Sequence, residues 1–199
     1  MNKSQNLVAM QGKVGTQQRA LRNNHTGLVV WLTGLSGSGK TTIAIEVEKI
    51  LFERGYFALR LDGDHLRQGL CTDLGFSPAD RAENIRRAGE VARLFYESGA
   101  VVLASFISPT RQMRANVRAR LPRGAFLEVF VRASLQTCME RDPKGFYKSA
   151  LQGGISAYTG VDQDYEEPDH PELILDTEKS SLEECVQMLV LQVVKQTTL

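Results

Sequence analysis

One octapeptide constrains this chain more than any other feature. Gly34-Leu35-Ser36-Gly37-Ser38-Gly39-Lys40-Thr41 fits the pattern G-x-x-x-x-G-K-[ST] in full. It directly follows Leu28 to Leu32 (LVVWL), which reads as a buried strand, and directly precedes Thr41 to Glu53, whose spacing predicts a helix. In that setting glycines let successive backbone N–H groups turn inward around phosphate oxygens, and the helix N-terminus adds its dipole to the same anion. Lys40 is then expected at the β- and γ-phosphates of a nucleotide, and the Thr41 hydroxyl at Mg²⁺. Gly34 through Thr41, with Thr42 beside them, form the expected nucleotide site.

The rest of the chain alternates apolar strands with amphipathic helices joined by short connections, which predicts an α/β fold: a parallel β-sheet flanked by helices on both faces, of the P-loop type. Phe57 to Leu61, Val101 to Phe106, Phe126 to Val131 and Leu173 to Leu175 read as the further strands. Ser77-Pro78-Ala79-Asp80 carries the cap, proline and acid of a helix start, and Gly99 ends that helix. Ser108-Pro109 reads as another start, with Ser108 as N-cap, and Ser181-Leu182-Glu183-Glu184 as a capping box. Residues 142–171, rich in Gly, Tyr, Asp and Pro, are too long for an ordinary connection and read as a lid over a site.

A chain of 199 residues, 42% hydrophobic and 24% charged, has enough apolar surface for one full core, so residues 27–199 are expected to form a single domain. Residues 1–26 carry Lys3, Lys13, Arg19 and Arg22 with no acidic residue, and read as a polar, basic arm, flexible or partly helical, rather than a transit peptide. A net charge of +1 supplies no global field for nucleic acid or an anionic membrane, so any anion must meet a local site. No apolar run approaches the roughly twenty residues of a membrane span. Cys71, Cys138 and Cys185, widely spaced and without a C-x-x-C pair, suggest idle thiols in a reducing compartment, and the chain is expected in the cytoplasm. A guanine-reading N-K-x-D segment is missing, so a small-molecule kinase using ATP fits better than a switch GTPase.

Further motifs narrow the acceptor. The chain reads Leu61-Asp62-Gly63-Asp64-His65-Leu66-Arg67, Leu74-Gly75-Phe76-Ser77, and Asp80-Arg81-Ala82-Glu83-Asn84-Ile85-Arg86-Arg87. Phe106-Ile107-Ser108-Pro109, Arg141-Asp142-Pro143-Lys144-Gly145 and Tyr158-Thr159-Gly160 follow in order. From about Gly27 to Thr177 this series resembles the adenylyl-sulfate kinase (APS kinase) family, and so many motifs in order are more specific than a P-loop.

The resemblance implies transfer of the γ-phosphate of ATP, with Mg²⁺, to the 3′-hydroxyl of adenylyl sulfate (APS), giving 3′-phosphoadenylyl sulfate (PAPS) in sulfate assimilation. It also implies a homodimer and functional coupling to ATP sulfurylase. Arg67, Phe76, Arg81, Asn84, Ile107, Ser108, Lys144 and Tyr158 are implied to surround the acceptor. Guanidinium forks and an aromatic clamp are the groups that an anionic phosphosulfate and an adenine need. Arg81 and Asn84, three apart on a predicted helix, share one face.

Asp62 lies at the carboxyl end of the second strand, where open α/β sheets place their ligands; the resemblance implies that it lies beside the reacting hydroxyl and the metal shell, and it is expected to orient or deprotonate that hydroxyl. Asp64 either contacts substrate or caps the next turn. Lys144 is expected to bring charge to the migrating phosphoryl group. The resemblance implies that Arg141 flanks the ATP adenine, the alternative being an ion pair with a neighbouring acid such as Asp142. Ser108 occupies the family's phosphoserine position, yet no base beside it is identifiable in the sequence. The competing readings are a kinase for gluconate or a nucleoside monophosphate, and a silent nucleotide-binding subunit.

Overall fold

Every residue of β1 (Leu28–Thr33) is buried. A strand with no exposed face belongs in the middle of a sheet covered on both sides. β1 lies there, parallel to β3 (Val101–Ser105) on one side and to β4 (Phe126–Arg132) on the other. The edges are β2 (Ala58–Asp62), beside β3, and β5 (Leu173–Asp176), beside β4. The order β2-β3-β1-β4-β5 is parallel throughout, as the alternating pattern predicts. This computed structural model describes residues 12–143, 145–152, 159–161 and 163–199.

Because side chains alternate across a strand, the inner strands β1 and β3 feed two cores. Val30 and Leu32 face α2 (Lys40–Glu53) and α8 (Leu182–Thr197), where Ile43, Val47, Leu51, Leu189 and Val193 close one cluster. Val29 and Trp31 face α4 (Pro78–Glu97) and α5 (Arg111–Arg118), packing with Ile85, Ala88, Ala92 and Val117. The remaining helices are α1 (Thr16–Asn23), α3 (Gly63–Arg67), α6 (Leu135–Arg141) and α7 (Phe146–Leu151). Residues after α1 are tied to the body: the Thr26 N–H donates to the Thr197 carbonyl at 2.9 Å, and buried His25 accepts the Phe57 N–H at 3.0 Å through Nε2.

Two expected caps form. Ser77 Oγ accepts the Asp80 N–H with Pro78 in the first turn, and Ser181 and Glu184 make a reciprocal capping box. The third is corrected. α5 starts at Arg111, and its N-cap is Thr110, whose hydroxyl accepts the Met113 N–H at 3.2 Å. Ser108 cannot cap, because its backbone sits in the left-handed region (φ 41°) and its hydroxyl bonds elsewhere, whereas Thr110 has the extended backbone an N-cap requires. All three cysteines are buried and free. Among the described residues no helix is long and apolar enough to cross a membrane.

Candidate active site

The carboxyl ends of β1, β2 and β3 open onto a cavity of about 1360 Å³, lined by residues 36–43 of the glycine-rich loop and α2 and by Asp62, Phe76, Arg81, Asn84 and Ile107. Parallel sheets place ligands at this edge because the loops there splay apart. The loop's glycines are required by close approaches. A Cβ on Gly34 (φ 150°) would lie 2.4 Å from the Val131 carbonyl oxygen, and one on Gly37 (φ 79°) 2.9 Å from that of Cys138. Ser36 through Thr42 line the cavity. Gly34 and Leu35 instead offer their carbonyls to Lys40 Nζ, at 2.9 and 2.7 Å. Ser38 Oγ is buried beneath the loop without a hydrogen-bond partner among the described residues.

Thr41 Oγ1 donates to Asp62 Oδ2 at 2.8 Å, joining the start of α2 to the end of β2. Asp62 Oδ1 accepts the Asp64 N–H at 3.0 Å, so the cap of α3 is Asp62 rather than Asp64. Asp64 lies in the first turn of α3 and lines the cavity. A hydroxyl and a carboxylate converging beside a phosphate cradle are hard oxygen donors that suit Mg²⁺, which commonly uses one or two carboxylates plus substrate phosphates. Among the described residues no group of three or more His, Cys, Asp or Glu could hold a metal.

The opposite wall brings together the expected acceptor residues. Phe76 is 57% exposed, and the Arg67 guanidinium lies 4.2 Å from its ring centroid. Arg67 Nη1 donates to the carbonyls of Leu74 and Gly75 at 3.2 and 2.9 Å, which holds the turn carrying Phe76. Arg81 donates to the Phe76 carbonyl at 2.9 Å and to Thr159 Oγ1 at 3.0 Å. Asn84 is 4% exposed, one turn further along α4, and its Nδ2 has no partner among the described residues. A buried, unpaired amide is costly unless a ligand completes it. Ser105 Oγ, at the end of β3 where Ser105 pairs with Asp62, is orphaned in the same way.

At the far end, Arg141 pairs with Thr177 rather than Asp142. Its Nη1 donates to Thr177 Oγ1 at 2.9 Å and its Nη2 to the Thr177 carbonyl at 2.8 Å. Thr177 Oγ1 is also 3.1 Å from the Ser38 carbonyl, so Arg141 is tied to the phosphate loop through the end of β5. Ser180, Leu182 and Cys185 line the cavity there.

The family model described as adenylylsulphate kinase matches residues 26–176. This chain belongs to the adenylylsulphate kinase family. An adenylyl-sulfate kinase of Staphylococcus carnosus is 50% identical over 190 residues, 96% of this chain and 96% of that protein. The APS kinase of Mycobacterium tuberculosis, solved in complex with AMPPNP and APS, matches with a TM-score of 0.78 and 46% identity, over 84% of this chain and 98% of that one. A gluconokinase from Sinorhizobium meliloti, at 21% identity and a TM-score of 0.58 over 85% of this chain and 92% of that one, shares the fold.

Within this family member, sequence reasoning missed three groups at the site. Thr177 was findable, since it directly follows a strand end where such sheets bind ligands. Ser105 was findable by the same rule. Thr33 carried no local signal: its hydroxyl donates to the Ile107 carbonyl at 2.7 Å and lies 2.9 Å from the Tyr165 hydroxyl. Burial pushes the Tyr165 phenol up to about 12, so the kinase keeps it protonated as a donor. Lys144 and Tyr158, expected at the reacting phosphoryl group and the acceptor base, lie outside the described residues.

Proposed function

We propose that this chain transfers the γ-phosphate of ATP to the 3′-hydroxyl of adenylyl sulfate, with the P-loop end of the cavity holding ATP and the Phe76 end holding the acceptor. What supports the division is that one cavity joins the phosphate cradle to a wall with an exposed aromatic ring, two arginines and an unsatisfied buried amide. An anionic nucleotide acceptor supplies the base to stack and the oxygens for the guanidinium groups.

In this reading residues 36–42 wrap the phosphates and Lys40 leaves the Gly34 and Leu35 carbonyls to meet the β- and γ-phosphate oxygens. Asp62 faces the acceptor hydroxyl and accepts its hydrogen bond, orienting the oxygen for in-line attack. Thr41 and Asp62 would hold Mg²⁺, directly or through water, and the ion would supply positive charge against the phosphates. Arg81 and Asn84 meet the phosphosulfate side, Arg67 backs the Phe76 ring, and Arg141 flanks the ATP adenine. Lys144 supplies charge to the migrating group and Tyr158 closes on the acceptor base from the lid at about 142–171. Residues 27–199 act as one kinase domain. We further propose a cytoplasmic homodimer, coupled functionally to ATP sulfurylase.

A coupled ADP-release assay with a panel of acceptors tests this. ATP consumption with adenylyl sulfate, and little with gluconate or AMP, is the expected result. Preference for another acceptor, or nucleotide binding without turnover, would overturn it.

A further inference from the structure

Arg114 is the largest charged side chain in the interior, 2% exposed, and it does not line the cavity. Its guanidinium donates in three directions. Nε bonds Glu128 Oε1, Nη1 the Ser108 carbonyl and Nη2 the Glu166 carbonyl, each at 2.7 Å. A buried ion pair seldom adds net stability over a well-packed apolar pair, so this one calls for another explanation.

The two carbonyls point to it. Ser108 has φ 41°, a region that non-glycine residues occupy only when their surroundings hold them there. Arg114 holds the carbonyl of that residue, while its hydroxyl accepts the Trp31 indole N–H and donates to Thr33. Ile107 and Ser108 line the same cavity as Asn84. On the other side, the Glu166 N–H donates to the Pro109 carbonyl at 2.8 Å, and the Glu166 carboxylate accepts the Arg111 N–H at 2.8 Å. Tyr165, whose hydroxyl meets Thr33, has its ring centroid 5.7 Å from the Arg114 guanidinium carbon. One planar cation therefore joins the turn after β3 to the strap at residues 165–166, anchored on β4 through Glu128.

We propose that Arg114 is a positioning residue for the acceptor: it clamps the Ile107–Pro109 turn against the 165–166 strap, and the turn then presents Ile107 and Ser108 to the acceptor at a set height. This rests on the reading that the Phe76 end of the cavity is the acceptor side. Arg suits the task because its donors radiate in a rigid plane, whereas a lysine ammonium would satisfy Glu128 and leave at least one carbonyl unheld.

Two variants test it. Arg114→Lys keeps the charge opposite Glu128, and the double variant Arg114→Met with Glu128→Gln removes the pair without leaving a lone buried charge. The readouts are thermal melting, separate KM values for ATP and adenylyl sulfate, and calorimetric binding of adenylyl sulfate to the ADP-loaded protein. We expect the KM and Kd for adenylyl sulfate to rise about 10-fold in both, the size expected from losing one charge-assisted hydrogen bond. The KM for ATP should stay within about twofold. Unchanged acceptor constants in folded variants, or equal rises for both substrates, overturn the proposal. Tyr165→Phe removes the strap's bond to Thr33 without touching a charge, and should raise the acceptor KM alone by a few-fold. If the Arg114 variants do not fold, an unchanged acceptor KM in Tyr165→Phe overturns it. Lack of turnover with adenylyl sulfate in the wild-type chain would instead remove the functional reading beneath it.

Discussion

The indole N–H of Trp31 donates to the hydroxyl of Ser108, with Nε1 3.1 Å from Oγ. Ser108 Oγ donates onward to Thr33 Oγ1 at 3.0 Å, and the Thr33 hydroxyl in turn donates to the Ile107 carbonyl at 2.7 Å. Both the proton and an acceptor site of the serine are in use, and the residue is 1% exposed. Among the described residues no histidine, lysine or carboxylate bonds that oxygen to activate it.

Ser108→Ala is therefore expected to keep measurable transfer and to lose stability. The loss comes from a buried indole N–H left without an acceptor, about 1–3 kcal/mol, and not from a missing helix cap. Denaturant unfolding measures it, and chiral γ-phosphoryl substrates report the route: direct transfer inverts at phosphorus, two successive transfers retain. Retention, with a dead alanine variant that still binds both nucleotides, would establish a phosphoserine instead.

Lys40→Ala should lower kcat by about 100-fold or more, the scale of losing one preorganised donor to transition-state charge. Its Nζ bonds the Gly34 and Leu35 carbonyls of its own loop and its side chain belongs to neither apolar core, and the melting temperature is expected to stay close to wild type. Near-normal turnover in a folded variant would remove the P-loop lysine from the reaction.

Arg81→Ala should weaken adenylyl sulfate by about 10- to 150-fold and ATP much less, since charge-assisted bonds contribute roughly 1.5–3 kcal/mol. Part of the loss comes from releasing the Phe76 carbonyl and Thr159. Equal weakening of both substrates in calorimetry would make Arg81 a structural residue.

Arg86 and then Arg87 hold the Glu83 carboxyl down from the usual 4.5 to about 2. The folded pKa is depressed, so the stability Glu83 contributes is fully present above pH 4.5 and is lost as pH falls from there through about 2. Arg87 also binds Asp73 and the Leu70 carbonyl, so this cluster pins the turn leading to Phe76. Glu83→Gln should flatten the acid limb of stability in urea titrations at low salt. The effect is modest because Glu83 is one-third exposed, at 33%. An unchanged slope would mean that Glu83 keeps an ordinary pKa.

The phosphate cradle was legible in the sequence because its geometry is local: glycines, one lysine and one threonine within eight positions, between a strand and a helix. The unbroken apolar run of the buried strand β1 and the caps of α4 and α8 were legible for the same reason. Arg81 and Asn84 share a helix face because 3.6 residues make a turn. Ser108 was not legible. Its serine-proline pair has the local look of a helix start, but a tryptophan 77 residues away and a threonine 75 away claim its hydroxyl, and Arg114 claims its carbonyl. Thr41 on Asp62, Arg141 on Thr177 and the Arg114 clamp likewise join distant segments. Periodicity and capping rules carry information over a few residues, whereas these bonds exist only after the sheet has brought its strand ends to one edge.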